Sequence, residues 1–175
     1  MITSLARANL GAVTYHYGTK AKLYDEVLRA EGEPLLAGVQ RVGACPGRPL
    51  DRIDAVVRAF LRHVSEHRDL PALMLHVLSL RRPVPVPIRR VMAGVYRVVT
   101  QLVREGQRDG SIVAGDPALL TISILAQPIY VTLARRPLRA VAGLDTGDPA
   151  VGARIADHVV SFLRRGLSPS RRRAS

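Results

Sequence analysis

The chain has 175 residues with a 47% hydrophobic share, enough apolar material for a buried core, which argues against an intrinsically disordered protein. Aromatic residues make up only 4% and Trp is absent, so the core has to be assembled from Leu, Val, Ile and Ala, a palette suited to helix-helix contacts. A formal net charge of +12 points to a polyanionic partner such as nucleic acid or anionic lipid, although all cations but Lys20 and Lys22 are Arg, a bias that a GC-rich genome also produces.

Cys45 is the sole cysteine, which excludes an intrachain disulfide framework and a multi-cysteine zinc site. The opening MITSLARANLGAV lacks the charged start and long apolar run of a signal peptide, and the expected location is cytoplasmic. The predicted elements are all helical. Thr19 caps a helix from Lys20 towards Leu36, carrying Leu23, Val27 and Leu28, with Pro34 as a kink or late break. Gly43 to Pro49 reads as a connector. From Leu50 to His67, Ile53, Val57, Phe60 and Val64 advance by four, three and four, the mark of one buried stripe.

A shorter apolar helix is expected over Pro71 to Leu80, followed by an extended run from Arg82 to Pro87, where alternating prolines stop a helix. Ile88, Met92, Val95, Val99 and Leu102 then mark the longest amphipathic helix, to Arg108, with Arg89, Arg90, Arg97, Arg104 and Arg108 mainly outside its stripe. Asp116-Pro117 and Asp148-Pro149 are cap and first-turn pairs for helices to about Arg135 and Gly166; Val151, Ile155, Val159 and Phe162 form the stripe of the second. Pro117 to Ala134 is uncharged and of membrane-spanning length. Thr121, Ser123, Gln127, Pro128 and Thr132 interrupt it, so burial in a core or against a second subunit is expected rather than a membrane span. The tail from Ser168 to Ser175 is expected to be disordered.

The run Asn9-Leu-Gly-Ala-Val-Thr-Tyr-His-Tyr-Gly-Thr-Lys-Ala-Lys-Leu23 resembles the recognition helix and following helix start of the tetracycline-repressor (TetR) family: small polar cap, Tyr15-His16-Tyr17, the Gly18-Thr19 turn, Lys20 and a buried Leu23. Arg104-Glu-Gly-Gln-Arg-Asp-Gly-Ser-Ile112, followed by Asp116-Pro117, resembles a helix connection in that family's sensor domains. The resemblance implies an all-α chain: a remnant helix-turn-helix head plus a helical-bundle sensor and dimerisation domain. Asn9 starts the reading helix, Leu10, Gly11 and Thr14 meet base edges, and Tyr15, His16 and Lys20 meet phosphate. The family head has two helices before this one, where only Ile2 to Ala8 stand here; the expected turn glycine is either replaced by Arg7 or lost with a few neighbours. The resemblance therefore implies an incomplete head and weak sequence-specific DNA binding by this chain.

The expected division is 1–42 for the head and connecting helix, 43–167 for ligand sensing and dimerisation, and 168–175 for the basic tail. Pocket candidates are Phe60, His63, His67, Met92, Tyr96 and Tyr130, which put polar or adaptable groups beside apolar stripes. Candidates for a four-helix dimer interface are Leu119, Ile122, Leu125, Ile129, Leu133, Ile155, Val159 and Phe162. His63 and His67 are four apart on a helix and can in principle share a metal, but no second ligand pair accompanies them. No phosphate-binding glycine loop or activated nucleophile context occurs, and neither enzymatic activity nor a cofactor is expected. The reading is a ligand-responsive regulator of repressor type, with a homodimeric body, a small-molecule effector and, given a complete head, a palindromic operator as partners. The alternative is a DNA-silent dimerisation or small-molecule-binding protein.

Overall fold

The computed structural model describes residues 19–67, 69–79 and 83–169. Among them are seven helices and no strand: α1 Lys20–Gly43, α2 Pro49–Glu66, α3 Leu70–Ser79, α4 Val86–Arg108, α5 Pro117–Leu133, α6 Arg135–Ala142 and α7 Pro149–Leu167. The fold is all-α. The sequence-predicted DNA contacts Asn9, Leu10, Gly11, Thr14, Tyr15 and His16, with the Lys20 side chain, lie outside the described residues, as do residues 170–175.

The Thr19 hydroxyl accepts the Lys22 backbone N–H at 3.2 Å and starts α1. The helix then passes through Pro34 and ends at Gly43, well beyond the predicted stop near Leu36. Proline removes one backbone donor, but Leu35 and Val39 are buried on its far side, and that burial holds the helix together. The proline run before α4 is shorter than predicted, because Val86 and Pro87 already form its first turn, where a missing N–H costs no helical hydrogen bond. Helix α6 has no counterpart among the predicted elements; it ends on Gly143 in the left-handed conformation at φ 66°.

The core joins α1, α2, α4, α5 and α7 through Val39, Ile53, Val56, Val57, Val99, Leu102, Ile124, Val159 and Leu163. On α7 the buried stripe is Val159, Val160, Leu163 and Leu167, so the helix is rotated from the predicted face and Phe162 is left 51% exposed. Helices α1 and α4 approach closely because glycines receive the neighbour's side chains. A Cβ on Gly32 would meet Val91 at 2.8 Å, one on Gly94 would meet Leu36 at 2.5 Å, and one on Gly43 would meet Val98 at 2.6 Å.

Polar contacts fix the helix ends. Arg52 pairs with Glu105 at 2.6 Å and donates to the Gly43 carbonyl; Arg164 pairs with Asp51 and Asp54, and Arg58 with Asp157 at 2.6 Å. These tie α2 to α1, α4 and α7. In the α4–α5 connector, Gln107 Nε2 donates to the carbonyls of Val113 and Gly115, and Val113 N–H donates to the Leu167 carbonyl. Asp116 then caps α5 through the Ala118 N–H. Among the described residues no single helix is long and apolar enough to cross a membrane; α5 and α6 together have the length and composition but are bent by 75°.

Candidate ligand cavity

Between α1, α2, α3, α4 and α5 lies a cavity of about 510 Å³, within the range of sites that enclose small organic molecules. Helical spacing decides what faces it. Helix α1 supplies Leu28, Gly32 and Leu35; α4 supplies Ile88, Arg89, Val91, Met92, Ala93, Val95 and Tyr96; α5 supplies Leu125, Ile129, Thr132 and Leu133. The α1 and α5 sets follow the three-and-four spacing of one helix face, while α4 presents a broader face. Phe60 and Val64 come from α2, and Leu70, Pro71 and Met74 from α3. The wall is overwhelmingly apolar, with Arg89, Tyr96 and Thr132 as its polar residues.

Of the pocket residues expected from the sequence, the fold brings Phe60, Met92 and Tyr96 into one wall, while His63, His67 and Tyr130 are not part of it. Tyr130 is 63% exposed. Both histidines are engaged with Glu31 of α1: His63 Nε2 lies 3.1 Å from the Glu31 carbonyl and His67 Nδ1 lies 2.6 Å from its carboxylate. Their rings stack at 4.1 Å. This cluster latches α2 to α1 one residue from Gly32 and Val64 of the cavity wall. No sequence signal marks it, because Glu31 is remote from the histidines along the chain.

Of the residues expected at a subunit interface, Leu125, Ile129 and Leu133 line the cavity. Val159 is inside the subunit core and Ile155 packs against it. Leu119, Ile122 and Phe162 are more than half exposed. The cavity residues on α1 and α3 escape sequence reasoning, since only the packing of those helices turns their apolar faces to a common space. Arg89 escapes it because its charge places it on the solvent side.

Burial, and then the neighbouring His67, hold the His63 imidazole below its usual value of 6.5, against the opposing pull of the Glu31 carbonyl and the Glu31 and Glu66 charges. A histidine lowered in the folded state binds fewer protons there than in the unfolded chain, so its contribution is complete above the unfolded value and is lost as pH falls through it towards the folded one. The melting temperature should therefore fall on acidification from pH 7 to 5, and His63→Gln should flatten that dependence. A wild-type profile that the substitution leaves unchanged would show that His63 is not its source.

A family model described as a tetracyclin repressor-like C-terminal domain matches residues 46–132. No curated protein matches the sequence. Among solved structures, the fold is similar to that of the TetR-family transcriptional regulator PfmR from Thermus thermophilus, with a TM-score of 0.78, 17% identity, and coverage of 96% of this chain and 87% of that one. It is equally similar to the ketosteroid transcriptional regulator KstR2 of Mycobacterium tuberculosis, with a TM-score of 0.78, 17% identity, and coverage of 97% and 83%. A regulatory protein of the tetR family from Rhodococcus RHA1 gives a TM-score of 0.77 at 19% identity, covering 97% and 85%.

Proposed function

We propose, from the premise that this chain belongs to the tetracycline-repressor family, that it is a ligand-responsive transcriptional regulator of the repressor type. The observation that carries the reading is the cavity itself, because α1, the helix that follows the segment resembling a DNA-reading helix, forms part of its wall. A molecule that fits between α1, α4 and α5 in one arrangement better than in another shifts the position of α1, and only such differential binding can change the DNA affinity of the residues before it. In this reading, given a complete head, Leu10, Gly11 and Thr14 contact bases, and Asn9, Tyr15, His16 and Lys20 support the helix and its phosphate contacts. Residues 1–42 act as head and connecting helix and 43–167 as sensor and dimerisation body.

The cavity half of the proposal is tested by a thermal-shift screen of apolar small molecules. A molecule present at a hundredfold excess over its dissociation constant stabilises the folded chain by about 2.7 kcal/mol, and Ala93→Trp, which fills the cavity from α4, should abolish the shift. A library that leaves the wild-type midpoint unmoved would count against a sensor.

The body is proposed to work as a homodimer through α5 and α7. Leu119, Ile122 and Phe162 are 63%, 55% and 51% exposed, an apolar surface that a second copy would cover. Sedimentation at micromolar concentration should give a dimer, and Phe162→Asp should weaken it about tenfold or more, the effect of losing a well-packed apolar anchor. A soluble wild-type monomer would overturn this part.

A further inference from the structure

We infer that the cavity takes an amphipathic carboxylic acid: an apolar body lying between α4 and α5, with its acid group at Arg89. This rests on the reading of the cavity as a small-molecule site. Seven residues of α4 line the cavity, and four of them, Arg89, Met92, Ala93 and Tyr96, stand at spacings of three, four and seven, so these four form one stripe along it. Arg89 begins that stripe and is the only charged residue in the described wall. It is solvent-exposed, and among the described residues it makes no ion pair.

The distribution of polarity sets the ligand's chemistry. Past Arg89 the wall offers Met92, Ala93 and the apolar face of α5, where a charged or hydrated group would lose water without a partner. The bulk of the occupant is therefore apolar. A single anionic group at the Arg89 end stays near solvent, keeps part of its hydration, and gains a charge-assisted, bidentate pairing with the guanidinium. A cationic group there is repelled, and a neutral hydroxyl gains less. Tyr96 stands about 10 Å further along α4, from the helical rise of ~1.5 Å per residue. Together with Thr132 on the facing helix, it can accept one further polar atom in an otherwise apolar chain or ring system.

The test uses the full chain with three probes of equal length, dodecanoate, 1-dodecanol and dodecylamine, each below its micellar concentration, titrated calorimetrically against wild type, Arg89→Gln and Ala93→Trp. The acid should bind wild type about tenfold tighter than the alcohol, the size of one partly exposed charge-assisted contact, and the amine should bind most weakly. Arg89→Gln should bring the acid close to the affinity of the alcohol while weakening the alcohol far less, and Ala93→Trp should abolish all binding. Equal binding of acid and alcohol to wild type, or an acid preference that survives Arg89→Gln, overturns the acid assignment and leaves the apolar cavity site standing. Binding that survives Ala93→Trp places the probes elsewhere and overturns it as well. No binding of any of the three probes to wild type removes both the acid assignment and the small-molecule reading on which it rests.

Discussion

Leu102→Ala is expected to lower the free energy of unfolding by about 2–5 kcal/mol, the range for removing most of a fully enclosed leucine. Leu102 is 1% exposed and sits in the cluster that α1, α2, α4, α5 and α7 share. Its loss combines the transfer free energy of the deleted carbons with a void that the surrounding helices can close only in part. Urea unfolding, with the slope unchanged and the midpoint lowered, is the check. A loss below about 1 kcal/mol would be typical of a surface position, and would mean that α4 is not packed as described.

Gly94→Val should cost about 1–3 kcal/mol, the usual penalty for forcing extra volume into a packed contact. A Cβ there would stand 2.5 Å and 2.9 Å from the two methyl groups of Leu36, so α1 must move away from α4 or Leu36 must leave its place. Gly38→Ala, on the same helix as Leu36, is the counter-case. Nothing lies within 4 Å of its added Cβ, and relief of glycine's helical penalty should stabilise the chain by about 0.5–1 kcal/mol. Opposite signs in thermal or urea unfolding support close α1–α4 packing. Equal effects would contradict it.

Periodicity alone locates α2, α4, α5 and α7, because each carries either an unbroken apolar stripe or an Asp-Pro start. Ile53, Val57 and Val64 are buried as their spacing predicts. The extension of α1 past Pro34 is not legible, since it depends on what Leu35 and Val39 meet across the fold. Helix α6 is hidden by its arginines and by Pro137, which is harmless so close to a helix start. Phe60, Met92 and Tyr96 can be placed in the cavity because they adjoin predicted stripes. Arg89 cannot, because its stem borders an apolar wall while its charge reads as solvent-facing. His63 and His67 are mistaken for pocket residues for a related reason: their partner, Glu31, becomes a neighbour only when α1 lies against α2.

In a regulator built this way, an occupied cavity and a bound DNA duplex change each other's affinity. The most direct measurement is to enrich duplexes from a random pool on the protein with a complete helix-turn-helix head, then titrate the enriched sequence with the cavity filled and empty, using a molecule from the thermal-shift screen. Enrichment of a palindrome is expected. So is a change in DNA affinity of about 5- to 150-fold between the two states, mirrored by the same factor in ligand affinity when DNA is present, as linkage requires. A pool without sequence preference, or a duplex bound equally well in both states, would contradict it.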